Sequence, residues 1–138
     1  MAIKLGKNPE TFKKTIRLYD VNGKAESLQV EYKFRTRLQF AELMDQRAAR
    51  EKEIEDAELA ALADAENGTP AAAKTFEQSV RDGMAIATSR VLEIAKGWDL
   101  ADDFNAENLE ELEGMFPNAL ADIQAEYQSA LLEARRKN

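Results

Sequence analysis

A chain of 138 residues with a formal net charge of −7 has the length usual for one domain. It contains no histidine and no cysteine, which excludes disulfide and thiolate chemistry and removes the commonest general base and the commonest transition-metal ligand. No apolar run approaches the length of a membrane span, and the N-terminal residues lack the apolar region of a secretory signal. We therefore expect a soluble, cytoplasmic protein that is neither an enzyme nor bound to a membrane.

The charges are unevenly distributed along the chain. Residues 1–50 carry eleven Lys or Arg against six Asp or Glu, whereas residues 51–134 carry five against twenty, and 135–137 are all basic. A solvated surface that happens to segregate its charges explains this distribution. Attraction between basic and acidic parts of neighbouring copies is the alternative, and it would favour a homo-oligomer.

The first predicted elements are two strands joined by a tight turn. Apolar and polar side chains alternate from Phe12 to Tyr19 and again from Leu28 to Arg35. Asn22-Gly23 between them is a strong hairpin signal, for which we expect positive φ at both central turn positions. The sequence thus predicts an extended arm and a β-hairpin over residues 1–35. Its apolar face must lie on a helix or on another copy, because an isolated hairpin is marginal in water.

A long helix is predicted from an N-cap at Thr36 to about Glu66. Its segment from Asp45 to Glu53 has no side chain larger than alanine on its apolar side, so we expect that segment to be exposed or protruding. Ile54, Leu59 and Leu62 then resume an apolar stripe.

A second long helix is predicted after a break at Asn67-Gly68-Thr69-Pro70. It runs from about Pro70 to Lys96, because a stripe of apolar residues at helical spacing leads from Phe76 to Trp98.

Two helices are predicted in the last third. Asn105 caps a short helix that Gly114 ends, and Pro117 occupies the first position of a long C-terminal helix. The expected fold class is α+β, mostly α: an N-terminal β-hairpin (residues 1–35) followed by a helical bundle (residues 36–138) with two long helices, a short helix and a long C-terminal helix. We expect residues 1–138 to form a single domain.

No residue pattern predicts a catalytic, cofactor or metal site. Paired carboxylates occur throughout, but a metal site needs three or more that converge from different elements. Asp99, Asp102 and Asp103 near Trp98 form the one acidic cluster in a predicted loop. The basic hairpin could be a nucleic-acid surface, yet the acidic balance of the whole chain argues against nucleic acid as a partner.

The last third carries a particular order of aromatic and acidic residues. Trp98 is followed by acidic residues and Phe104, then by Asn105 and Leu109-Glu110-Glu111-Leu112, and finally by Phe116-Pro117-Asn118-Ala119 and a helix centred on Tyr127. This order resembles the tail assembly chaperones of long-tailed bacteriophages. The resemblance covers residues 98–138, and Thr11–Asp45 fits the family more loosely.

The resemblance implies a function and partners. Such chaperones keep the long tape measure protein soluble, recruit tail tube protein, and are absent from the finished virion. Side chains that form either the core or a groove for an apolar partner helix are the candidate partner-binding residues: Trp98, Phe104, Met115, Phe116 and Tyr127. The alternatives are a phage structural protein, such as a tail terminator or connector, and a small DNA-binding regulator that uses the hairpin.

Overall fold

A computed structural model describes residues 3–66 and 75–133. In chain order it contains β1 (Thr11–Tyr19), β2 (Ala25–Lys33), α1 (Arg37–Glu66), α2 (Phe76–Ile94), β3 (Ala95–Trp98), α3 (Ala106–Met115) and α4 (Ala119–Leu132). The expected fold class, α+β and mostly α with an N-terminal hairpin, is confirmed.

The chain divides into two compact units. The sheet unit comprises the residues up to Phe34 and those from Arg81 onward, and the long-helix unit comprises Arg35–Val80. The first therefore holds the three strands, most of α2, α3 and α4, whereas the second holds α1 and the first residues of α2.

The sheet has the order β1-β2-β3 and both pairings are antiparallel. The side chains of Ile16 and Leu18 in β1 and of Leu28, Val30 and Tyr32 in β2 are buried, and the residues between them are exposed or half-buried. The predicted alternation is therefore confirmed, with one face of the hairpin in the core.

The turn of the hairpin differs from the expected one. The N–H of Gly23 donates to the carbonyl of Asp20 over 3.0 Å, and Gly23 has a φ of 81°. Asn22 does not have positive φ. The three-residue loop is thus a type I turn followed by a left-handed glycine, and the Asp20 carboxylate stabilises it by accepting from the N–H groups of Asn22 and Lys24.

β3 was not predicted. The second long helix ends at Ile94 rather than Lys96, and the chain then pairs with β2, with Val30 opposite Trp98. This pairing satisfies backbone groups on the side of β2 that β1 leaves open, which outweighs the helical pattern that Ala95 and Lys96 continue. The Asp99 carboxylate extends the pairing by accepting from the N–H of Gln29 over 3.0 Å.

Helix α4 covers the apolar face of the hairpin. The Tyr32 hydroxyl donates to the carbonyl of Ile123 over 2.8 Å, and the Tyr127 hydroxyl donates to the carbonyl of Lys33 over 2.9 Å. The rings of Phe12, Tyr32 and Tyr127 stack with centroids 5.3–6.0 Å apart. Of the two covers expected for the hairpin, a helix or another copy, the structure shows a helix.

The junction of α3 and α4 also differs from the expected one. α3 continues through Gly114 to Met115, and α4 begins at Ala119. Pro117 lies instead in a turn closed by the N–H of Ala119 and the carbonyl of Phe116, and Asn118 has a φ of 72°. Proline followed by a left-handed asparagine is the arrangement of a type II turn.

The long-helix unit begins with a reciprocal cap. The N–H of Gln39 donates to the Thr36 hydroxyl over 3.1 Å, and the N–H of Thr36 donates to the Gln39 side chain over 2.9 Å. The predicted start of α1 is therefore confirmed.

Thr75 and Gln78 repeat this cap at the start of α2. The predicted break at 67–70 and the helix start at Pro70 lie outside the described residues.

Candidate partner-binding surfaces

Trp98, the last residue of β3, and Phe104 contact each other. Their rings meet edge to face with centroids 5.1 Å apart, and the Trp98 indole N–H donates to the carbonyl of Asp102 over 2.8 Å. Both side chains are half-buried. Trp98 is thus held by a loop rather than enclosed by the core.

The hydrogen bonds formed by the acidic cluster after Trp98 all involve backbone groups. Asp99 accepts from β2, and the carbonyls of Asp102 and Asp103 accept from the side chains of Trp98 and Asn108. The Asn105 side chain accepts from the N–H of Asn108 over 2.9 Å, which confirms it as the N-cap of α3. In the described ranges, no group of three or more carboxylates is placed to hold a metal ion.

Met115 and Phe116 lie at the α3–α4 turn. Met115 is 59% exposed and Phe116 is half-buried. The Glu113 carboxylate fixes this turn, because one oxygen accepts from the N–H of Asn118 and the other from the N–H of Leu120. Leu120 lies in the first turn of α4 and Asn118 directly precedes that turn, so Glu113 performs the capping that the Asn118 side chain does not.

Tyr127 differs from the other four candidates in its burial. Its side chain is 1% exposed and lies within the aromatic stack of the core. Its neighbour Tyr32 is buried as well, and burial raises the pKa of the Tyr32 hydroxyl, with a further increase from the Glu126 carboxylate. The hydroxyl therefore stays protonated and can donate to α4 throughout the physiological range.

Exposed apolar residues that the sequence did not suggest as candidates for partner binding lie in the long-helix unit. Every side chain from Ala48 to Asp64 is exposed. Ile54, Leu59 and Leu62, which were expected to resume a stripe, are 55%, 57% and 56% exposed. The expected exposure of Asp45–Glu53 is found for all but Arg47, which is half-buried, and it extends much further along α1.

The start of α2 is also unburied. Phe76 is 86% exposed and Val80 47%, whereas Val91 and Ile94 in the same stripe are 0% and 2% exposed. One helical stripe therefore changes from core to solvent along its length. Its period gave no sign of that change, since periodicity tells which face is apolar but not what covers it.

The described helices were compared with the length and hydrophobicity that a membrane span requires. None of them is both long and apolar enough to cross a membrane.

Comparison with known proteins identifies a family. A family model described as phage tail assembly chaperone matches residues 1–138, the whole chain. No curated protein and no solved structure matches. The match includes both the sheet unit and the long-helix unit, and it therefore extends well beyond the C-terminal third that carried the resemblance. The chain belongs to the phage tail assembly chaperone family.

Proposed function

We propose that this protein binds the tape measure protein through exposed apolar side chains of the long-helix unit and thereby assists assembly of the tail tube. It acts without catalysis, in the cytoplasm of the host cell, and is absent from the mature virion. Family membership supports a role in tail assembly. The proposal adds to this role two partners, the tape measure protein and the tail tube protein, and a binding surface.

The proposal rests on the exposure of large apolar residues along α1 and at the start of α2. Ile54, Leu59 and Leu62 on α1 and Phe76 and Val80 on α2 are each between 47% and 86% exposed. Fully burying one such side chain is worth about 1.5–3 kcal/mol, so a partner that covers several of them gains substantial affinity. Contiguous exposed apolar patches mark interaction surfaces, and we propose that these five side chains contribute to one.

The chemistry of α1 suits a helical partner. Charged residues such as Lys52, Glu55 and Asp56 alternate with the apolar ones and keep the unbound helix in solution. A long helix laid along α1 would cover the apolar side chains. The family resemblance implies that the tape measure protein is such a partner.

The candidate partner-binding residues predicted from the sequence suggest a second surface. Met115 is exposed, and Phe116, Trp98 and Phe104 are half-buried, so these four side chains are accessible in the sheet unit. We propose them as a secondary contact for a tail component. Tyr127 can affect binding through the stability of the core, because its side chain is enclosed.

Co-expression with the tape measure protein tests the main surface. We expect the wild-type chain to keep that protein in the soluble fraction and to co-purify with it. A triple variant with Gln at positions 54, 59 and 62 should lose both effects, since Gln retains high helix propensity while it removes the apolar surface. Ala57→Gln is the matched control, because Ala57 is exposed on the same helix and carries little apolar area.

The outcomes separate the two surfaces and the alternatives. Loss of binding in Met115→Gln but not in the triple variant would move the site to the sheet unit. Presence of the chain in purified virions would favour a structural protein, such as a tail terminator or connector. Salt-sensitive retention on DNA would favour the DNA-binding regulator.

Self-association stays a separate prediction. If the basic N-terminal and acidic later parts of different copies attract each other, sedimentation should show oligomers that dissociate as salt is raised. Oligomers that strengthen with salt would indicate apolar contacts instead.

A further inference from the structure

The strand β1 forms an open edge of the sheet. The sheet order is β1-β2-β3, so β1 has a hydrogen-bonded neighbour on one side. Bonds at both ends of the hairpin fix which residues face that neighbour. The N–H of Phe34 donates to the carbonyl of Glu10, and the N–H of Asp20 donates to the carbonyl of Lys24.

The alternation of an antiparallel ladder then determines whether the backbone groups of each β1 residue point towards β2 or away from it. Residues at even positions, such as Lys14 and Ile16, hydrogen-bond to β2 through their N–H and carbonyl groups. Lys13, Thr15 and Arg17 direct theirs away from β2, and none of them has a hydrogen bond to another described residue. The edge therefore offers a row of donors and acceptors at a spacing that fits another strand.

The side chains of this edge carry one sign of charge. β1 contains Lys13, Lys14 and Arg17 and no carboxylate. The side chains of Lys13 and Arg17 are exposed, and neither forms an ion pair with the described part of the chain. Glu31 lies opposite Lys13 on β2, but its carboxylate accepts from the Thr11 hydroxyl over 2.7 Å.

We propose that the free edge of β1 binds an extended, acidic segment of a partner protein by strand addition. The backbone of the segment would pair with Lys13, Thr15 and Arg17, and its carboxylates would lie opposite Lys13 and Arg17. This goes beyond the proposed function, because it concerns the backbone edge of the sheet and an extended, acidic partner segment.

A second copy of the chain does not fit the edge. Two β1 strands paired antiparallel about Thr15 would place Lys13 of one copy opposite Arg17 of the other. Parallel pairing in register would bring identical cations together. Like charges directly opposite each other are destabilising, so the same side chains that attract an acidic strand disfavour self-pairing.

Binding of a synthetic peptide to the full chain provides the test. The peptide has nine residues, with Glu at the third and seventh positions, Thr at the other odd positions and Val at the even ones. Its antiparallel register places the two glutamates opposite Arg17 and Lys13. A second peptide with Lys in place of both Glu residues is the matched control. We expect saturable binding of the Glu peptide and at least about tenfold weaker binding of the Lys peptide.

Amide resonances show where the peptide binds. In the free chain we expect fast hydrogen exchange at Lys13, Thr15 and Arg17 and slow exchange at Lys14 and Ile16. The Glu peptide should slow exchange at the first three. Exchange unchanged at these three in the presence of saturating peptide would overturn strand addition even if the peptide binds.

Two variants separate backbone pairing from charge. Thr15→Pro removes an N–H that points to the edge, which edge strands tolerate, and should abolish binding, whereas Thr15→Val should retain it. If Thr15→Pro does not fold, Lys13→Glu with Arg17→Glu still decides the question, since it should reverse the preference to the Lys peptide. Equal affinity for both peptides, or no binding of either at millimolar concentration, would show that the cations only guard the edge against aggregation.

Discussion

Substitution of Tyr127 tests whether this residue belongs to the core or to a binding surface. The side chain is 1% exposed, stacks against Phe12 with ring centroids 6.0 Å apart, and donates to the carbonyl of Lys33 over 2.9 Å. Tyr127→Phe removes the hydrogen bond and leaves the ring in place. We expect it to lower the free energy of unfolding by about 0.5–1.5 kcal/mol.

Tyr127→Ala also removes the ring. The cost then includes the lost apolar contacts and the cavity, for a total of about 3–5 kcal/mol. A cooperative unit of 60–100 residues loses about 4–8 °C of melting temperature for each kcal/mol. The alanine variant should therefore melt at least about 12 °C lower than wild type, and the phenylalanine variant within about 12 °C.

The assay is thermal unfolding followed by circular dichroism, together with co-purification of the tape measure protein. We expect Tyr127→Phe to bind normally, since it is folded and its accessible surface is unchanged. Tyr127→Ala that melts like wild type but fails to bind would refute the assignment of Tyr127 to the core.

Three further predictions concern stability and exposure. Glu113→Ala should lower the free energy of unfolding by about 0.5–2 kcal/mol in a thermal melt, because the first turn of α4 loses its cap, whereas Glu110→Ala on the exposed face of α3 should have little effect. Burial raises the pKa of Tyr32 in the folded state, so its contribution is intact below the ordinary tyrosine pKa of about 10 and is lost as pH rises above it; alkaline titration should destabilise wild type more steeply than Tyr32→Phe, and equal slopes would contradict this. Backbone amides of residues 48–64 should exchange faster than those of residues 88–94, because no side chain of the first segment is buried; strong protection of that segment in a dilute sample would argue against the exposed surface.

The sequence was most informative where a signal is local. Alternation of side chains placed both strands of the hairpin, because a period of two reports directly which face is buried. Thr36 and Asn105 marked helix starts correctly, since a cap depends on backbone groups two or three residues away. The fold class followed from these signals together with the long helical patterns.

The errors arose where distant parts of the chain decide. Ala95–Trp98 reads as the end of a helix, and it is the open side of β2, some 65 residues earlier, that makes it a strand. The start of α4 is set by Glu113, whose capping role depends on a left-handed Asn118. Pro117 fitted a helix start and a type II turn equally well, so its own chemistry could not choose between them.

The candidate surfaces were predicted only in part. Aromatic residues near Trp98 stood out in the sequence, whereas Ile54, Leu59 and Leu62 were predicted only to resume an apolar stripe. A hydrophobic pattern predicts burial against something, but the partner can be another protein rather than the same chain. That ambiguity is expected for a chaperone, whose binding residues resemble core residues.

Hydrogen exchange of the chain alone and in complex with the tape measure protein shows which unit the partner covers. We expect binding to slow exchange in the later half of α1, around residues 54–62, and at the start of α2, around residues 76–80. The sheet unit should show smaller changes. A stable complex in which α1 exchanges as fast as in the free chain would contradict the claim that the long-helix unit carries the binding surface.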